Sequence, residues 1–384
     1  MLKMASYKFY FLGGIVIALA IIIGGDIPNF ILRLWILSLI YCVFSLIYYT
    51  KHLSYKFDIE NNEIYVGERA RIKYKLINVG SLIPASNIVF TNERDEKLKE
   101  ADFSENIYIS ANDYYEVKRD FIPHRRGFYK IGQSKIKTQD VLGLFEIERF
   151  FSQKENLTVY PSFKSINEFD IPASDLFGEQ TILSLISEDY ISIKKIRTYV
   201  QGDPLKKINQ RITAKMGEIY VNEFDSSSRP KLILLADANE ISYKQDHEHI
   251  IEDKLVESIA SISHFALMNK IEVLYIDSSN KHPYFSARDM SSFMPLLNLL
   301  TGFEASGNVP LEKFLLSEAI SLSYKSSIVL FTPELDNNKC RVISTLKKRG
   351  FSIMPIIFSS SPIQDQYKKL LSKDKINSVS IYPN

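Results

Sequence analysis

Residues 231–237 read KLILLAD, a continuous apolar run that ends in the carboxylate of Asp237. An unbroken apolar run of this length is typical of a strand buried on both faces of a parallel sheet. Apolar residues then recur at helical spacing over 251–266, and a second apolar run follows at 271–277. The alternation continues to the end of the chain, with predicted helices at 288–302, 310–323, 339–348 and 367–371 and predicted strands at 327–331, 351–358 and 378–382. Residues 231–384 are therefore predicted to form an α/β domain with a mostly parallel, Rossmann-type sheet.

Residues 53–161 have a different pattern, in which apolar and polar residues alternate. The clearest example is 70–79, where the alternation indicates a strand with one face in water. Asn78, Gly80 and Ser81 then supply residues that favour a turn. Similar short runs follow at 87–91, 114–122, 128–136 and 157–160. Short strands separated by turns predict an antiparallel β-sandwich.

Residues 1–52 are predicted to hold two transmembrane helices. Residues 9–25 carry no charge, and residues 27–50 form a second apolar run that only Arg33 interrupts. Each run is long enough to cross about 30 Å of hydrocarbon as a helix, which gives spans at about 9–25 and 30–49. Glycine, aspartate, proline and asparagine cluster between the runs, so the pair is predicted to be a helical hairpin.

The charges that flank the two runs predict their orientation. Lys3 and Lys8 precede the first run, Lys51 and His52 follow the second, and the turn holds Asp26 and no lysine. Because cytoplasmic flanks of membrane helices are enriched in lysine and arginine, both termini and the remaining chain are predicted to be cytoplasmic in a two-pass membrane protein. A cleaved signal peptide is the alternative for the first run, but a second apolar run follows at once and no clear cleavage site is present.

The connecting segment, residues 162–230, carries the most distinctive sequence of the chain. Asp203 and Pro204 favour the start of a helix, and Gly217 favours its end. An apolar face at helical spacing is predicted for this helix, made of Leu205, Ile208, Ile212 and Met216.

A row of cations is predicted on another face of the same helix, since Lys207, Arg211 and Lys215 stand four residues apart. Like charges at this spacing repel each other weakly, so the row would be more stable against acidic groups of this chain or of a partner. The row is therefore a candidate partner contact. A solvated basic helix face is the alternative.

Two blocks of sequence together resemble the bacterial family known as domain of unknown function 58. The first block is Arg197-x-Tyr199-x-x-Gly202-Asp203, then Ile208-Asn209, then Ala214-Lys215. The second is Pro123-x-Arg125-Arg126-Gly127-x-Tyr129, then Asp140-x-Leu142-Gly143-Leu144-Phe145, then Val159-Tyr160-Pro161. Gln210 stands where the family usually has tryptophan. The resemblance extends from about residue 55 to the end of the chain, and its two blocks are specific in order and spacing.

The resemblance implies a bacterial, membrane-anchored protein with a β-rich region and a von Willebrand factor A-like domain. Relatives are often encoded beside MoxR-type AAA+ ATPases, so it also implies an ATPase of this type as a partner, although no activity is established for the family at large. The candidate residues for binding the partner are Arg197, Tyr199, Asp203, Lys207, Arg211 and Lys215.

A von Willebrand factor A-like domain often carries a metal-ion-dependent adhesion site, in which oxygen ligands after the first strand hold magnesium. The corresponding positions are Asp237, Asn239 and Ile241. Asp237 retains the carboxylate and Asn239 offers a carbonyl oxygen, but Ile241 offers no ligand, and residues 332–336 also depart from the expected pattern. The site is therefore predicted to be degenerate and without a cofactor, with Asp237 capping a helix or binding loop amides. Magnesium at Asp237 and Asn239 is the alternative.

The composition gives no sign of nucleic-acid binding or of a disulfide framework, since the 384 residues carry a net charge of +2 and two cysteines. The sequence has no Gly-x-Ser-x-Gly elbow, Walker loop or His-Glu-x-x-His zinc motif. The family resemblance, together with the absence of these motifs, implies a non-enzymatic, membrane-tethered adaptor or scaffold that works with a MoxR-type ATPase in the maturation or remodelling of envelope proteins. An unrecognised enzyme at the cytoplasmic membrane face and a metal-dependent, adhesion-type binding module are the alternatives.

Overall fold

The computed structural model describes residues 2–4, 7–92, 104–164, 193–201, 208–224, 231–322, 327–359 and 365–382. The chain divides into two compact units, Met1–Tyr160 and Pro161–Asn384. Apolar helices and three β-sheets make up the described part of the N-terminal unit. A two-stranded sheet and a six-stranded sheet belong to the C-terminal unit.

The N-terminal unit begins with a short strand, β1 (Leu2–Met4), and two helices, α1 (Tyr7–Ile22) and α2 (Asp26–His52). α2 is long and apolar enough to cross a membrane, with a mean hydropathy of 2.3 in its most apolar window. α1 is apolar but has 16 residues, which gives a length of about 24 Å. Within the part of the chain that the structure describes, one apolar helix near the N-terminus has spanning length, and the two-span hairpin stays a prediction.

α1 and α2 pack against each other through an aromatic contact. The rings of Phe9 and Trp35 are stacked with 5.7 Å between their centroids. Gly13 lies against the same indole, because a Cβ at this position would be 2.1 Å from the ring of Trp35. A side chain larger than hydrogen at position 13 would push the two helices apart.

The remainder of the N-terminal unit is β-sandwich-like. Its strands are β2 (Leu53–Ile59), β3 (Glu63–Tyr65), β4 (Ala70–Asn78), β5 (Ala85–Asn92), β6 (Ser104–Ile109), β7 (Tyr114–Phe121), β8 (Gly127–Ile131), β9 (Ser134–Gln139), β10 (Phe145–Phe151) and β11 (Glu155–Tyr160). They form three sheets with the orders β1-β10-β9-β5-β6, β2-β4-β7 and β3-β11-β8. The pairings among these strands are antiparallel except for β3 with β11.

The core of this unit follows the alternation seen in the sequence. Every second residue of β4 is buried, from Ala70 to Asn78. The predicted strand at 128–136 is wrong in one respect, because it is two strands of different sheets, β8 and β9, separated by residues 132–133. Gly132 has a φ of +106°, and a Cβ there would lie 2.7 Å from the carbonyl oxygen of Gln153. The positive φ of Gly132 therefore interrupts the extended backbone, and the chain passes from one sheet to the other at this point.

α2 is joined to the β-sandwich without a linker, because it ends at His52 and β2 begins at Leu53. Cys42, Ser45 and Leu46 are fully buried, and Leu46 belongs to the core of the β-sandwich. The Arg149 guanidinium donates hydrogen bonds of 2.9 Å to the carbonyl oxygens of Thr50 and Leu53. Carbonyl groups at the end of a helix have no intrahelical partner, so this arginine satisfies the end of α2.

In the C-terminal unit, β12 (Ile193–Thr198) pairs with β13 (Tyr220–Phe224), and α3 (Gln210–Met216) lies between them in sequence. The remaining strands are β14 (Lys231–Ala236), β15 (Glu272–Asp277), β16 (Tyr284–Ala287), β17 (Ser327–Thr332), β18 (Ser352–Phe358) and β19 (Val379–Ile381). The helices are α4 (Ile250–Met268), α5 (Phe293–Thr301), α6 (Leu311–Ser321), α7 (Asn337–Lys348) and α8 (Asp365–Lys373).

The six-stranded sheet has the order β16-β15-β14-β17-β18-β19, and only its edge strand β16 is antiparallel to its neighbour. All six residues of β17 are buried, as are the last five of β14. Burial on both faces explains why these strands are unbroken apolar runs in the sequence. The mostly parallel sheet predicted for this region is confirmed.

We expect Leu46→Ala to lower the free energy of unfolding of the N-terminal unit by about 2–5 kcal/mol, because it opens a cavity where α2 meets the β-sandwich. Ile47→Ala is the matched control, since Ile47 lies next in the helix but is partly exposed. Thermal unfolding of the purified, detergent-solubilised protein measures both effects. Equal shifts in Tm for the two variants would contradict docking of α2 on the β-sandwich.

Candidate functional site

The candidate site lies at the carboxyl end of the parallel strands, where ligands bind in open α/β sheets. Asp237 directly follows β14, and Thr332 is the last residue of β17. Lys339 lies in the first turn of α7, whose N-cap Asp336 accepts a hydrogen bond from the Lys339 backbone N–H at 2.7 Å. Three separate elements therefore bring a carboxylate, a hydroxyl and an ammonium group together, and we call this cluster the Asp237 site.

The ammonium of Lys339 lies inside a set of oxygen atoms. It is 3.1 Å from Asp237 Oδ2, 3.2 Å from Ser242 Oγ and 3.3 Å from Thr332 Oγ1. The carbonyl oxygen of Glu334 is also 3.3 Å away, and its carboxylate is at 3.8 Å. Four oxygen atoms thus lie within hydrogen-bond distance of a group that has three hydrogens to donate.

The Asp237 carboxylate is also fully engaged. Its Oδ2 accepts from the Thr332 hydroxyl at 2.8 Å, and its Oδ1 accepts from the Asn239 backbone N–H at 3.1 Å. The Tyr243 hydroxyl donates to the Asp237 carbonyl oxygen at 2.7 Å. The prediction that Asp237 binds loop amides is therefore correct, but the ammonium of Lys339 is a partner that the sequence analysis did not identify.

The ion pair is deeply buried, with side-chain exposures of 5% for Lys339 and 0% for Asp237. Removing both charges from water is costly, and a buried pair is tolerated only when further hydrogen bonds satisfy the remaining donors and acceptors. The Asp237 site meets this condition through the hydroxyls of Ser242 and Thr332. The pair is therefore a structural element that fixes α7 against the ends of β14 and β17.

The geometry does not fit a divalent cation at the predicted positions Asp237 and Asn239. The Asn239 side-chain oxygen accepts from the Ile241 backbone N–H at 2.9 Å, and its amide donates to the Val309 carbonyl oxygen at 2.9 Å. Both ends of this side chain are thus used in local bonds, and the cation beside Asp237 is the ammonium of Lys339. Among the described residues, no group of three or more histidine, cysteine, aspartate or glutamate residues is arranged to hold a metal.

The loop near Gly307 covers the same edge of the sheet. The backbone N–H of Gly307 donates to the Ala238 carbonyl oxygen at 2.8 Å, and the Gly307 carbonyl oxygen accepts from the Glu240 N–H at 3.0 Å. A Cβ at position 307 would lie 2.2 Å from the carbonyl oxygen of Ser278. The backbone at Gly307 thus packs closely on Ala238 and Ser278, and Asp237 beside them is fully buried, so the site has a structural role more readily than a ligand-binding one.

A second candidate region is the signature segment, which we define as residues 197–224. Arg197 lies in β12 opposite Val221, and the backbone N–H of Tyr199 donates to the Ile219 carbonyl oxygen at 2.8 Å. Arg211 and Lys215 lie one turn apart on α3, and both are exposed. Of the other predicted contact residues, Asp203 and Lys207 lie outside the described residues.

The predicted helix of the signature segment is wrong in its start. Ile208 forms a β-bridge with Val221, and Asn209 is the N-cap, since its side chain accepts from the Ile212 N–H at 3.1 Å. α3 therefore begins at Gln210, which is exposed in the position where the resembled family usually has tryptophan. The predicted end is correct, because Gly217 has a φ of +76° and its N–H bonds to the Thr213 carbonyl oxygen.

None of the seven residues of α3 is fully buried; Ile212 and Thr213 are half-buried, and the other five are exposed. Among the described residues of the signature segment, the large apolar side chains of Val200, Met216 and Ile219 are exposed. Apolar side chains exposed together beside the cations Arg211 and Lys215 form a surface typical of a protein-binding site.

Cys340 lies on the buried face of α7. Burial raises the pKa of its thiol, and the nearby negative charge of Asp336 raises this pKa further. A thiol held in its protonated form is a poor nucleophile, so Cys340 is a packing residue.

No family model matches the chain. The uncharacterized protein YeaD of Bacillus subtilis (strain 168) is 28% identical over 158 residues, which cover 40% of this chain and 36% of that relative. The chain thus spans about a third of the length of the curated relative it matches. The similarity to domain of unknown function 58 stays a prediction from the two sequence blocks.

Solved structures give only limited likenesses. The CARDB domain of PF1109 from Pyrococcus furiosus has a TM-score of 0.20 and 10% identity, and the match covers 28% of this chain and 94% of that domain. Proximal thread matrix protein 1 from the mussel byssus has a TM-score of 0.29 and 9% identity, covering 39% and 42% of the two chains. Neither likeness carries information about what this chain binds.

We expect Lys339→Met to lower the free energy of unfolding of the C-terminal unit by about 3–5 kcal/mol, because it leaves the Asp237 carboxylate buried without a cation. Asp237→Asn is expected to have a similar effect. The double variant is expected to lose much less unfolding free energy than the sum of the losses in the two single variants. Urea unfolding of the three variants of the full-length protein gives the coupling energy.

The matched control for this cycle is Lys348→Met, on the same helix. Lys348 pairs with Asp374 at 3.8 Å, but its side chain is 72% exposed, and exposed pairs contribute about 0–1 kcal/mol. Additive effects of Lys339→Met and Asp237→Asn would contradict the structural role of the ion pair.

Magnesium chloride is expected to give no saturable binding heat with the wild-type protein in calorimetric titration. Lys339→Ala removes the ammonium but keeps the oxygens of Asp237, Ser242 and Thr332, so we expect this variant to bind magnesium weakly. Lys339→Ala combined with Asp237→Asn should lose that binding. If the wild-type protein gives saturable binding heat and Asp237→Asn abolishes it, the protein binds magnesium at Asp237 and the expectation is wrong.

Proposed function

We propose that the chain is a non-enzymatic, membrane-tethered adaptor of the domain of unknown function 58 family. Its N-terminal helices anchor it in the bacterial cell membrane, and its C-terminal unit binds a MoxR-type AAA+ ATPase at the cytoplasmic face. In this proposal the C-terminal unit has a von Willebrand factor A-like fold, and the complex acts in maturation or remodelling of envelope proteins. The ATPase comes from the family resemblance, whereas the anchor and the binding surface are supported by the geometry below.

The anchor is supported by the segments on either side of the two helices. β1 precedes α1 and pairs with β10, with Leu2 opposite Ile147, while β2 continues directly from α2. Both strands belong to the same compact unit. A chain that leaves this unit through α1 and returns through α2 therefore has both flanks on one side of the bilayer, as the lysines near the ends of the helices also favour.

The observation that carries the proposal is the exposure of α3. A helix of seven residues is marginal in water unless its side chains pack against something, yet α3 buries no residue completely, and five of its seven residues are exposed. Met216 and Ile219 supply apolar area, and Arg211 and Lys215 supply positive charge. A partner with an apolar patch surrounded by carboxylates would complement this surface.

The Asp237 site supports a particular form of the von Willebrand factor A-like proposal. The six-stranded, mostly parallel sheet has an aspartate directly after its first strand, Asp237. Because Lys339 supplies the positive charge from within the chain, binding through this domain does not need a divalent cation. A metal-dependent adhesion module is therefore the weaker assignment.

Affinity purification of the tagged full-length protein from its native membrane, with and without ATP, is expected to recover an AAA+ ATPase. Arg211→Glu combined with Lys215→Glu should reduce the recovered ATPase at least about tenfold, since like-charge contacts in an interface disfavour association by several kcal/mol. Mass spectrometry of the recovered proteins measures the effect.

The matched control reverses Lys369 and Lys373 to glutamate, a pair of exposed lysines with the same spacing on α8. Equal loss in both double variants would point to non-specific charge attraction and would exclude α3 as the contact. If the intact and abundant wild-type protein recovers no ATPase under either condition, the adaptor proposal is wrong.

A further inference from the structure

A turn of the β-sandwich exposes two apolar side chains on a rigid backbone. Asp140 is fully buried, and its carboxylate accepts hydrogen bonds from the N–H groups of Leu142 at 2.9 Å and Phe145 at 2.6 Å. The Gly143 N–H also donates to the Asp140 carbonyl oxygen at 2.9 Å. Held in this way, Val141 is 51% exposed and Leu142 is 54% exposed. We call residues 140–145 the Asp140 turn.

The Asp140 turn lies against α2. The Cys42 side chain interacts with the carboxylate of Asp140 and with the backbone of Leu142. Cys42 itself is fully buried, whereas its neighbours Tyr41 and Phe44 are exposed. The exposed apolar side chains of α2 therefore lie beside the exposed side chains of Val141 and Leu142.

The position of Cys42 along α2 sets the depth of the turn. α2 begins at Asp26, and Cys42 follows sixteen residues later, which corresponds to about 24 Å. A bilayer with about 30 Å of hydrocarbon would extend along about 20 residues of a helix. If α2 enters the bilayer near Asp26, Cys42 lies about 6 Å inside the opposite boundary of the hydrocarbon, among the acyl-chain segments nearest the headgroups.

The other helix leads to the same level. Met4 of β1 pairs with Phe145, the last residue of the Asp140 turn, and α1 begins three residues later at Tyr7. Both helices therefore meet the β-sandwich beside this turn. A protein that enters the membrane at this place brings Val141 and Leu142 against the bilayer.

We propose that the Asp140 turn inserts Val141 and Leu142 into the interface of the lipid bilayer, as a membrane contact in addition to the helices. Burial of apolar side chains among acyl chains is favourable, and Asp140 satisfies the backbone N–H groups that would otherwise enter the interface without a partner. The inference rests on the proposed membrane anchor. Its consequence is that the β-sandwich has a fixed orientation on the membrane surface.

The test uses the single tryptophan of the chain, Trp35. The full-length protein is reconstituted in phosphatidylcholine and phosphatidylglycerol vesicles whose acyl chains carry bromine, a contact quencher, either near the headgroup or near the methyl end. Trp35 lies seven residues before Cys42 on α2, about 10 Å deeper along the helix. Quenching of Trp35 in the wild-type protein therefore reports on the anchor alone.

The turn is probed by Leu142→Trp in a Trp35→Phe background, with Val141→Trp as a second variant in the same background. Phe128→Trp is the matched control, because Phe128 is 60% exposed in β8 of the same unit. Phe128 lies far from the end of the unit where α2 enters. β8 pairs with β11 beside β3, and the whole of β2, from Leu53 to Ile59, lies between α2 and β3. Six residues of strand separate the control from the membrane end of the unit by about 20 Å.

We expect tryptophan at 142 or 141 to show blue-shifted emission and to lose more intensity with bromine near the headgroup than with bromine near the methyl end. The control at 128 should be unaffected by either lipid. Quenching of Trp35 together with turn variants that behave like the control would overturn the inference and leave the anchor intact. Blue-shifted emission without quenching at 142 and 141 would also overturn it and would indicate a protein contact. Absence of quenching at Trp35 would refute the anchor, and the inference with it.

Discussion

The contact between the Lys339 ammonium and the Asp237 carboxylate holds the functional edge of the α/β sheet together. It joins the end of β14, the end of β17 and the start of α7, which are far apart in the sequence. An ion pair in a buried position is stable only if the desolvation of both charges is offset by Coulomb attraction and by hydrogen bonds. The hydroxyls of Thr332 and Ser242 supply those bonds, so the positions of their backbones follow from the same requirement.

The N-terminal unit depends on a comparable constraint at the junction of α2 and β2. The helix passes into the strand without intervening residues, and Arg149 binds the carbonyl groups at the junction. Because Leu46 belongs to the core of the β-sandwich, rotation of α2 would disrupt that core. The anchor is thus a rigid extension of the folded unit, unlike a flexible tether, and the level of the Asp140 turn relative to α2 is fixed by the fold.

Much of the architecture could be predicted from the sequence because burial and periodicity are directly related. Alternation over β4 and the unbroken apolar runs of β14 and β17 follow from one buried face and two buried faces respectively. Gly217 ends α3 because its positive φ suits glycine. The start of the same helix was predicted incorrectly, since Asp203 and Pro204 are strong local signals, whereas Ile208 is held by pairing with Val221, thirteen residues away.

The features missed in the sequence all depend on distant partners. Lys339 has no local signal, because its carboxylate partner is 102 residues earlier in the chain and lysine is rarely buried. β1 is three residues long and becomes a strand only through β10. The Asp140 turn was visible as a motif, but its position beside Cys42 came only from the fold.

The identity of the cation at the Asp237 site also limits how the protein can be regulated. A bound magnesium ion dissociates and responds to its concentration, so a metal site can change its charge during function. The ammonium of Lys339 is covalently attached and enclosed, so it cannot leave this edge of the sheet as a metal ion would. Under the proposed function, any switching of partner binding must come from the partner, for example from its nucleotide state, or from the exposed signature segment. α3 fits this role, because none of its residues is fully buried and five of the seven are exposed.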